Sequence, residues 1–340
     1  MISTKNWPCA ALPRASLSSR TTLKVGGEVA WLLEPAHPEE FILAWNAARE
    51  AGYTPRVLGG GANLLVADGL HDAVVIATER MSRVFRPRAD EDPHAEGGAD
   101  MVTEAGDRAR TFEQLAPTGM IALDRTKDPR LVVWAGASMP GIVRVTRELG
   151  WTGLEGLAGV PGHIGGGVAM NAGGRWGDLW DVIESIRLLL PDGTEVIRER
   201  AECNPGYRNG NLEGALVLGC VLKLEVGEKP AVKEAIARYI REKNAVQPVT
   251  ERSCGCVFKN PDPELSEGRT AGQLIDQCGL KGSAEGAAMV STKHGNFVVN
   301  RGSATATQVL ALIARVQAEV ASQTGVELKR EVQLWEPTKG

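Results

Sequence analysis

The spacing of apolar residues along the chain predicts a mixture of helices and strands. Apolar residues that recur every three to four positions predict helices over 38–51, 139–150, 229–246, 270–279 and 304–323. Short apolar runs bounded by turn-forming residues predict strands over 57–66, 72–78, 131–138, 183–197, 215–226 and 296–300. Because these strands and helices do not alternate regularly, the sequence predicts an α+β fold rather than one doubly wound sheet.

Glycine and proline mark several ends of these elements. Pro38 stands at the start of the first predicted helix, and Gly150 stands where the second ends. Asp192-Gly193 divides 183–197 into two strands and predicts a hairpin turn between them. Residues 83–112 are polar and rich in Arg, Asp and Glu, which is typical of a solvent-exposed loop or insertion.

Composition and charge narrow the classes of function. The chain has 340 residues, of which 43% are apolar and 24% charged, with a formal net charge of −4. No basic excess is available to neutralise phosphates, so we expect no nucleic-acid partner. The chain has neither an apolar run of membrane-spanning length nor an apolar stretch of signal-peptide length at its start. These features predict a cytoplasmic protein that does not bind membranes.

The cysteines raise the question of a metal or disulfide site. In a reducing cytoplasm we expect free thiols at positions 9, 203, 220, 254, 256 and 278. Cys254 and Cys256 are one residue apart, which strains a disulfide, and no histidine lies close to them in sequence. We therefore expect no metal site.

The first glycine-rich segment, LGGGANLLV (58–66), is a candidate anion site. Three glycines followed by Asn63 let backbone N–H groups converge on a pyrophosphate without obstruction by Cβ atoms. The segment matches neither the dinucleotide-binding GxGxxG pattern nor a P-loop. A glycine-rich turn between strands is the alternative.

The second segment, 153–177, contains ten glycines in 25 residues. A flexible linker would be polar, but here the glycines alternate with Leu, Val, Ile, Ala and Met. This pattern indicates close approach of the backbone to a flat cofactor, or else tight contact between a helix and a sheet.

Taken together, the two segments resemble the flavin-binding half of the UDP-N-acetylenolpyruvoylglucosamine reductase (MurB) family. Other matches follow in the family's order: TTLKVGG (21–27), GYR (206–208), QP (247–248), GCVFKNP (255–261), AGQLIDQCGLKG (271–282), KHGNFVVN (293–300) and GVELKREVQLW (325–335). The resemblance covers nearly the whole chain except about 80–130. No tyrosine lies between Tyr207 and Tyr239, which resembles the branch of the family without an extra tyrosine loop.

The resemblance implies an α+β flavoenzyme. It would have a two-part FAD-binding region of the vanillyl-alcohol-oxidase type and a smaller α+β substrate-binding domain. The implied domains are two FAD-binding parts, 1–79 and 80–227 with an insertion at about 80–130, then a substrate-binding domain, 228–330, and a C-terminal segment, 331–340.

The implied reaction belongs to peptidoglycan precursor synthesis, and so to cell-wall biogenesis, cell shape and cell division. NADPH would reduce FAD, and the enolpyruvyl ether of UDP-N-acetylglucosamine would become UDP-N-acetylmuramate. Hydride would pass from flavin N5 to C3 and a proton would reach C2. The partner would be this small-molecule substrate, and the protein a monomer.

The resemblance also implies site residues. The cofactor would be held by residues of both glycine-rich segments: Gly59, Gly60, Gly61, Ala62, Asn63, Leu64, Gly159, Val160, Pro161, Gly162, Gly165, Gly166, Asn171, Ala172 and Gly173. The substrate would meet Tyr207, Arg208, Lys259, Asn260 and Lys281. The catalytic residues would be Arg208, facing the substrate carboxylate, Cys256, and Glu331 as an acid.

Cys256 and Gly210 depart from the family's pattern. Cys256 occupies the position of a serine that gives the proton to C2, and a thiol is a stronger acid than an alkyl hydroxyl. Gly210 replaces a serine that contacts substrate. We expect Cys254 to pack rather than to act as a redox partner.

The sequence also leaves open the role of one histidine and two alternative functions. His163 could contact the flavin or pack in the interior, and His294 is expected to be structural. The alternatives are a flavin-dependent oxidase with the same flavin fold, and a non-catalytic protein that binds flavin or UDP-sugar.

Overall fold

The computed structural model describes residues 6–87, 92–94, 99–102 and 128–337. Most of the predicted loop at 83–112 and of the predicted insertion at about 80–130 lies outside these residues. Where the structure does describe the loop, it contains the strands Val84–Arg86 and Ala99–Val102, so the prediction of a loop throughout is wrong. Both strands belong to a larger sheet, and the first of them buries the apolar side chains of Val84 and Phe85, which stand out from the polar composition of the segment.

The predicted helices and strands occur along the chain in the predicted order, together with further short elements. In the described residues the helices are α1 Pro38–Glu50, α2 Met139–Leu149, α3 Ile164–Met170, α4 Lys229–Val246, α5 Pro263–Ser266, α6 Ala271–Gln277 and α7 Ala306–Thr324. The strands of the first half are β1 Ala10–Ser16, β2 Glu28–Glu34, β3 Arg56–Leu58, β4 Leu64–Val66, β5 Leu70–Ala77, β6 Val84–Arg86, β7 Ala99–Val102, β8 Arg130–Trp134 and β9 Trp151–Thr152. Those of the second half are β10 Gly173–Gly174, β11 Gly177–Asp178, β12 Ile183–Leu189, β13 Glu195–Glu199, β14 Leu216–Lys223, β15 Glu225–Val226, β16 Ser253–Cys256, β17 Ala284–Glu285, β18 Ala288–Val290, β19 Phe297–Asn300 and β20 Gln333–Trp335.

The chain forms two compact units, each assembled from separated segments. The first unit comprises Met1–Ala11, Leu33–Gly60 and Val74–Arg241. The second comprises Leu12–Leu32, Gly61–Ala73 and Glu242–Gly340. The predicted four-part division of the chain stays a prediction.

The first unit is built on a six-stranded sheet in the order β13-β12-β14-β8-β6-β7. The strand β14 lies between β12 and β8 and pairs antiparallel with both. Its buried run from Val217 to Leu222 meets a core that includes Trp151, Trp180 and Ile164. A strand buried on both faces in this way reads as a continuous apolar run, which is why the sequence predicted it.

Two predicted boundaries in this unit are confirmed. Gly150 ends α2 in the left-handed conformation, with φ 71°, which glycine adopts without a Cβ penalty. β12 and β13 form an antiparallel hairpin, and Gly193 has φ 94° in the turn between them.

The second unit combines a sheet of order β16-β19-β18-β17 with the helix α7. The apolar periodicity that predicted a helix over 304–323 corresponds to one face of α7 that is buried in the unit's core: Val309, Leu312, Ile313, Val316 and Val320. A separate parallel pair joins β20 to β4, with Gln333 opposite Leu64 and Trp335 opposite Val66.

The predicted strand over 57–66 is wrong as a single element. It is interrupted after Leu58, and the chain turns through 59–63 before β4 begins. The two halves have different partners, since β3 pairs in parallel with β5 whereas β4 pairs with β20. Local composition could not show this division because the partners lie far along the chain.

The helix α3, within the glycine-dense segment, was not predicted. Glycine has a low intrinsic helix propensity, so this run carries a weak local signal. The described residues include no helix of the length and apolar character needed to cross a membrane. They also include no cluster of three His, Cys, Asp or Glu side chains suited to a metal ion.

The start of α7 generates a stability prediction. The Asp68 carboxylate accepts hydrogen bonds from the backbone N–H groups of Ala306 and Thr307, at 3.0 and 2.8 Å. Burial alone would raise the pKa of Asp68, but these N–H groups outweigh burial and lower it. We expect Asp68→Ala to reduce the free energy of unfolding at pH 7 by about 1 kcal/mol in denaturant titrations.

The pH dependence has a definite sign. Because the pKa of Asp68 is depressed in the folded protein, its contribution is present above the unfolded pKa and is lost as pH falls through the folded pKa. The difference between wild type and Asp68→Ala should therefore shrink on acidification. Glu327→Ala, which removes an exposed carboxylate after α7, is the control. Its free energy of unfolding should differ little from that of wild type both at pH 7 and after acidification. A difference that is independent of pH would contradict the capping role.

Candidate functional site

The two glycine-rich segments meet in the first unit. A Cβ atom on Gly60 would lie 2.7 Å from the Cα of Gly162 and 3.1 Å from Cδ2 of His163. Real Cβ atoms do not approach backbone so closely, so residue 60 must be glycine for this contact to form. Gly59 is less crowded, because its Cβ would be 4.0 Å from that of His163.

The backbone of the second segment is hydrogen-bonded, at the start of α3, to the residues that lead from β8 into α2. Gly162 accepts a hydrogen bond from the Met139 N–H, and the Ile164 N–H donates to Ala137. The Gly165 N–H donates to the Ala135 carbonyl at 2.8 Å, and a Cβ on Gly165 would be 2.9 Å from the Ala135 Cβ. Gly165 therefore serves packing.

The turn before this contact holds three further predicted cofactor residues. Gly159 has φ 77°, which favours glycine. The Val160 N–H closes the turn on Leu157 at 2.9 Å, and Pro161 is exposed. These residues shape the path of the chain toward Gly162.

Gly166 differs from its neighbours because it faces open space. No atom of the described residues, other than its own helix backbone, comes within 4 Å of the position that a Cβ would take. A glycine inside a helix costs about 1 kcal/mol relative to alanine, so packing gives no reason for this residue. Close approach by a flat ligand would give one.

Two buried polar atoms lie at the ends of α3 without a hydrogen-bond partner among the described residues: Nδ1 of His163 and Oδ1 of Asn171. His163 is the residue that precedes α3, and Asn171 ends it with φ 43°. Burial lowers the pKa of His163, with a smaller opposing effect of Glu79, so its imidazole is neutral at pH 7. Orphaned buried groups are costly, and a polar ligand would satisfy them.

Arg208 is held next to the end of α3. The residue has φ 53°, and its guanidinium donates to the carbonyl oxygens of Asn171 and Gly173 at 3.3 and 2.9 Å. The guanidinium also lies over the Tyr207 ring, 5.1 Å from the centroid, while 58% of Tyr207 is exposed. The structure therefore brings Arg208 and Tyr207 together with Asn171, Ala172 and Gly173.

Asp178 is a charged neighbour of this group that the sequence reasoning missed. A Cβ on Gly173 would lie 2.0 Å from Oδ1 of Asp178, in the hairpin of β10 and β11. Burial raises the pKa of Asp178, the Arg208 charge opposes this, and Asp181 adds to it. Its sequence signal was only an acidic residue two positions after a tryptophan.

Gly210 explains one departure from the family's pattern. Its N–H donates to the Ala169 carbonyl at 2.8 Å, and a Cβ there would lie 2.4 Å from the Val168 oxygen. A serine could not occupy this position without a backbone shift. At this position, close contact between α3 and the loop that carries Gly210 takes the place of the serine side chain in the family's pattern.

The middle segment of the second unit, Gly61–Ala73, begins within the first glycine-rich turn. Gly61 has φ 60°, and a Cβ there would lie 2.3 Å from the Arg20 carbonyl oxygen. The Thr22 N–H donates to the Gly61 carbonyl at 3.1 Å. After Ala62, the side chain of Asn63 donates to the Glu331 carbonyl at 3.2 Å.

Cys256 and Glu331 lie on neighbouring segments of this unit. The Glu331 N–H donates at 2.8 Å to the carbonyl of Val257, the residue directly after Cys256. Both Cys256 and Glu331 are half-buried. Backbone pairing thus brings together the two segments that carry the residues to which the resemblance assigns acid chemistry.

Cys254 has a different environment from Cys256. It is 2% exposed within the apolar core of the second unit, and burial raises its pKa to about 12. The predicted packing role is confirmed. Gly255 has φ 78° and the pairing is irregular between Ser253 and Cys256, so the two thiols do not follow the simple alternation of an extended strand.

The remaining predicted residues are partly occupied by structural contacts. The Lys259 N–H bonds the Lys329 carbonyl, and Oδ1 of the exposed Asn260 accepts from the Ala271 N–H at the start of α6. The Lys281 ammonium pairs with Asp276 at 2.6 Å. A role of these three residues in substrate binding stays a prediction.

His294 has a clear structural contact, since its Nδ1 accepts from the Asn296 N–H at 3.1 Å. Its ring also packs edge-on against Phe297. The predicted structural role of His294 agrees with these contacts.

Two protein-family models match the sequence. Residues 247–335 match the C-terminal domain of UDP-N-acetylenolpyruvoylglucosamine reductase, and residues 114–199 match an FAD binding domain. The second match contains α3 and the open face of Gly166. An FAD binding domain agrees with the orphaned polar atoms there.

Full-length relatives and a solved structure agree with these matches. The chain is 34% identical to UDP-N-acetylenolpyruvoylglucosamine reductase of Moorella thermoacetica, over 95% of the chain and 93% of the relative. It is 35% identical to the Deinococcus radiodurans protein of that name, over 96% of each. The crystal structure of the Thermus caldophilus reductase superposes with a TM-score of 0.69 at 32% identity, covering 96% of this chain and 98% of that one. The predicted α+β fold with a flavin-binding domain is confirmed, and the vanillyl-alcohol-oxidase type of that domain stays a prediction.

The glycines of α3 generate a prediction that separates folding from ligand binding. We expect Gly166→Ala to raise the stability of the apoprotein by up to about 1 kcal/mol, because alanine favours helix. The same change should weaken FAD binding by about 10-fold or more, measured by quenching of flavin fluorescence, because the added Cβ would enter the space that the cofactor is expected to occupy.

Gly165→Ala is the matched comparison, since its Cβ would strike Ala135. It should lower the melting temperature of the apoprotein. Unchanged FAD affinity in Gly166→Ala would show that this face of α3 does not meet the cofactor.

Proposed function

The chain belongs to the UDP-N-acetylenolpyruvoylglucosamine reductase family, and we propose that its described residues carry out the reduction in the following way. The enzyme is an FAD-dependent oxidoreductase that converts the enolpyruvyl ether of UDP-N-acetylglucosamine into the lactyl ether of UDP-N-acetylmuramate. NADPH supplies the two electrons. The reaction adds one hydride to C3 and one proton to C2 of the substrate, so the overall balance is one NADPH and one proton consumed.

The FAD site is assigned to both glycine-rich segments. Gly59 to Leu64 would provide backbone donors to the pyrophosphate, and the segment from Gly159 to Gly173 would meet the ring system. Bound FAD supplies hydride transfer between NADPH and the substrate. The support for this assignment is the open face of Gly166 together with the orphaned atoms of His163 and Asn171.

Cys256 is assigned the proton that reaches C2. The thiol is half-buried and its segment is hydrogen-bonded to that of Glu331. A thiol gives up a proton more readily than an alkyl hydroxyl, so cysteine can take the place of the family's serine. The adjacency of these two segments is the single observation that carries the proton assignment.

Arg208 is assigned to the substrate carboxylate. Adding hydride to C3 moves negative charge toward that carboxylate, and a planar guanidinium stabilises it in two parallel hydrogen bonds. The bonds from Arg208 to the carbonyls of Asn171 and Gly173 restrict the guanidinium's orientation. Tyr207, Lys259, Asn260 and Lys281 are assigned to the rest of the substrate.

Predictions about cellular location, oligomeric state and binding partners complete the proposal. We propose a cytoplasmic monomer whose partner is this small-molecule nucleotide sugar, with neither nucleic acid nor membrane as a partner. The formal net charge of −4 supports the first exclusion.

The function is tested by the two half-reactions. Purified protein should be yellow, NADPH should bleach the flavin anaerobically, and the enolpyruvyl substrate should restore the colour. Colourless protein that does not bind added FAD would contradict the flavoenzyme. Reduced flavin that oxygen reoxidises rapidly, while the enolpyruvyl substrate does not, would favour the flavin-dependent oxidase.

Substitution of Cys256 tests the proton assignment. We expect Cys256→Ser to retain substantial activity in the second half-reaction, and Cys256→Ala to lose about 10²-fold or more, because only the alanine lacks a transferable proton. Stopped-flow reoxidation of the reduced flavin measures both. Cys254→Ala, which removes the neighbouring thiol, is the control for sulfur chemistry and should reoxidise at the wild-type rate. An alanine variant at 256 as fast as wild type would remove Cys256 from the mechanism.

A further inference from the structure

The side chain of Asn63 connects the first glycine-rich turn to the segment that carries Glu331. The side-chain Nδ2 of Asn63 donates to the Glu331 carbonyl oxygen at 3.2 Å. The backbone carbonyl of Asn63 accepts a hydrogen bond from the Gln333 N–H at 3.0 Å. One residue of the turn thus holds the C-terminal segment at two points, 268 and 270 positions away in sequence.

These contacts hold the Glu331 backbone from both sides. Its N–H donates to the Val257 carbonyl at 2.8 Å, beside Cys256. Its carbonyl accepts from Nδ2 of Asn63 and, more weakly at 3.4 Å, from Nε2 of Gln333. The orientation of the Glu331 peptide therefore depends on both the Cys256 strand and the glycine-rich turn.

The connection continues beyond Asn63. The next three residues form β4, which pairs in parallel with β20, and the Ala67 N–H donates to the Trp335 carbonyl at 2.9 Å. Asn63 stands at the start of this ladder, where regular pairing has not begun. Its side chain supplies the hydrogen bond that the ladder cannot give to Glu331.

This geometry differs from the role that sequence alone suggested. The segment LGGGAN predicted that Asn63 helps to cradle a pyrophosphate. A cradle needs donors aimed at the anion, but the side-chain amide of Asn63 is directed at the Glu331 backbone. The backbone of the turn can supply the cradle without the Asn63 side chain.

We propose that Asn63 is a positioning residue that sets the orientation of Glu331 relative to the first glycine-rich turn. The inference rests on the proposed function, because it assumes that Glu331 acts on the substrate after the flavin has been reduced. Asn63 acts through Glu331, which as an acid would donate to the enolate that hydride addition leaves while Cys256 protonates C2. Asn63 therefore influences the second half-reaction rather than reduction of the flavin by NADPH. A small displacement of a catalytic group is enough to slow a reaction strongly.

Asn63→Ala separates the two roles. We expect its FAD dissociation constant, measured by fluorescence quenching, to stay within about 3-fold of wild type, and flavin reduction by NADPH to be similarly little changed. Reoxidation by the enolpyruvyl substrate should slow by about 10-fold or more, because the Glu331 peptide loses the closer of its two side-chain donors. Asn63→Asp, which is nearly isosteric but lacks the Nδ2 donor, should also slow reoxidation.

Hydrogen–deuterium exchange of the apoprotein gives a readout independent of activity. A peptide covering 329–336 should exchange faster in Asn63→Ala than in wild type, because the Glu331 and Gln333 segment is less restrained. Asn300→Ala is the matched control. It removes another asparagine of the second unit whose Nδ2 donates to a backbone carbonyl, that of Leu23 at 3.0 Å.

The control should lower stability without changing the ratio of the two half-reaction rates. If Asn63→Ala weakens FAD binding by about 10-fold or more and slows both half-reactions equally, the pyrophosphate role is correct and the positioning role is wrong. Equal rates of reoxidation in Asn63→Ala and wild type, with unchanged exchange, would also overturn it. If wild-type reduced flavin is not reoxidised by the enolpyruvyl substrate, the proposed function fails instead.

Discussion

The absence of side chains in the first glycine-rich turn is the constraint on which the site depends. Gly60 lies so close to Gly162 that any Cβ would overlap the backbone, and Gly61 lies closer still to Arg20. These contacts fix the path of the turn, and the path in turn determines where Asn63 begins. Asn63 then holds Glu331, and Glu331 holds the strand that carries Cys256. Within the second unit, a side chain at position 61 would thus disturb the turn that leads to Asn63.

Glycine has two separate uses in this protein. At Gly165 and Gly210 a Cβ would strike neighbouring atoms, so the residue permits close packing. At Gly166 nothing in the described structure outside its own helix occupies the space, and a glycine in a helix lowers stability. A cofactor that approaches this face explains why the helix accepts that cost. Of the two explanations that the sequence left open, close packing is therefore observed at Gly165 and Gly210, and close approach of a cofactor is our proposal for Gly166.

The two neighbouring cysteines show how strongly local environment controls chemistry. Cys254 is enclosed by apolar side chains, and its pKa of about 12 makes the thiolate inaccessible near neutral pH. Cys256 is only half-buried and follows a glycine with φ 78°, which interrupts the regular alternation of the strand. Cys254 is thus a packing residue, whereas Cys256, outside the core, is the thiol to which we assign chemistry.

Periodic patterns and ordered motifs were enough to predict the long helices, the hairpin at Asp192-Gly193, the α+β class and the family, because these depend on local spacing and on residue identity. Tertiary structure decided the rest. The apolar run 57–66 divides because its halves pair with strands from different parts of the chain, and α3 forms in a run of glycines because surrounding contacts outweigh weak propensity. Only the folded chain directs the Asn63 side chain to Glu331, since hydrogen-bond partners 268 residues apart leave no trace in local sequence.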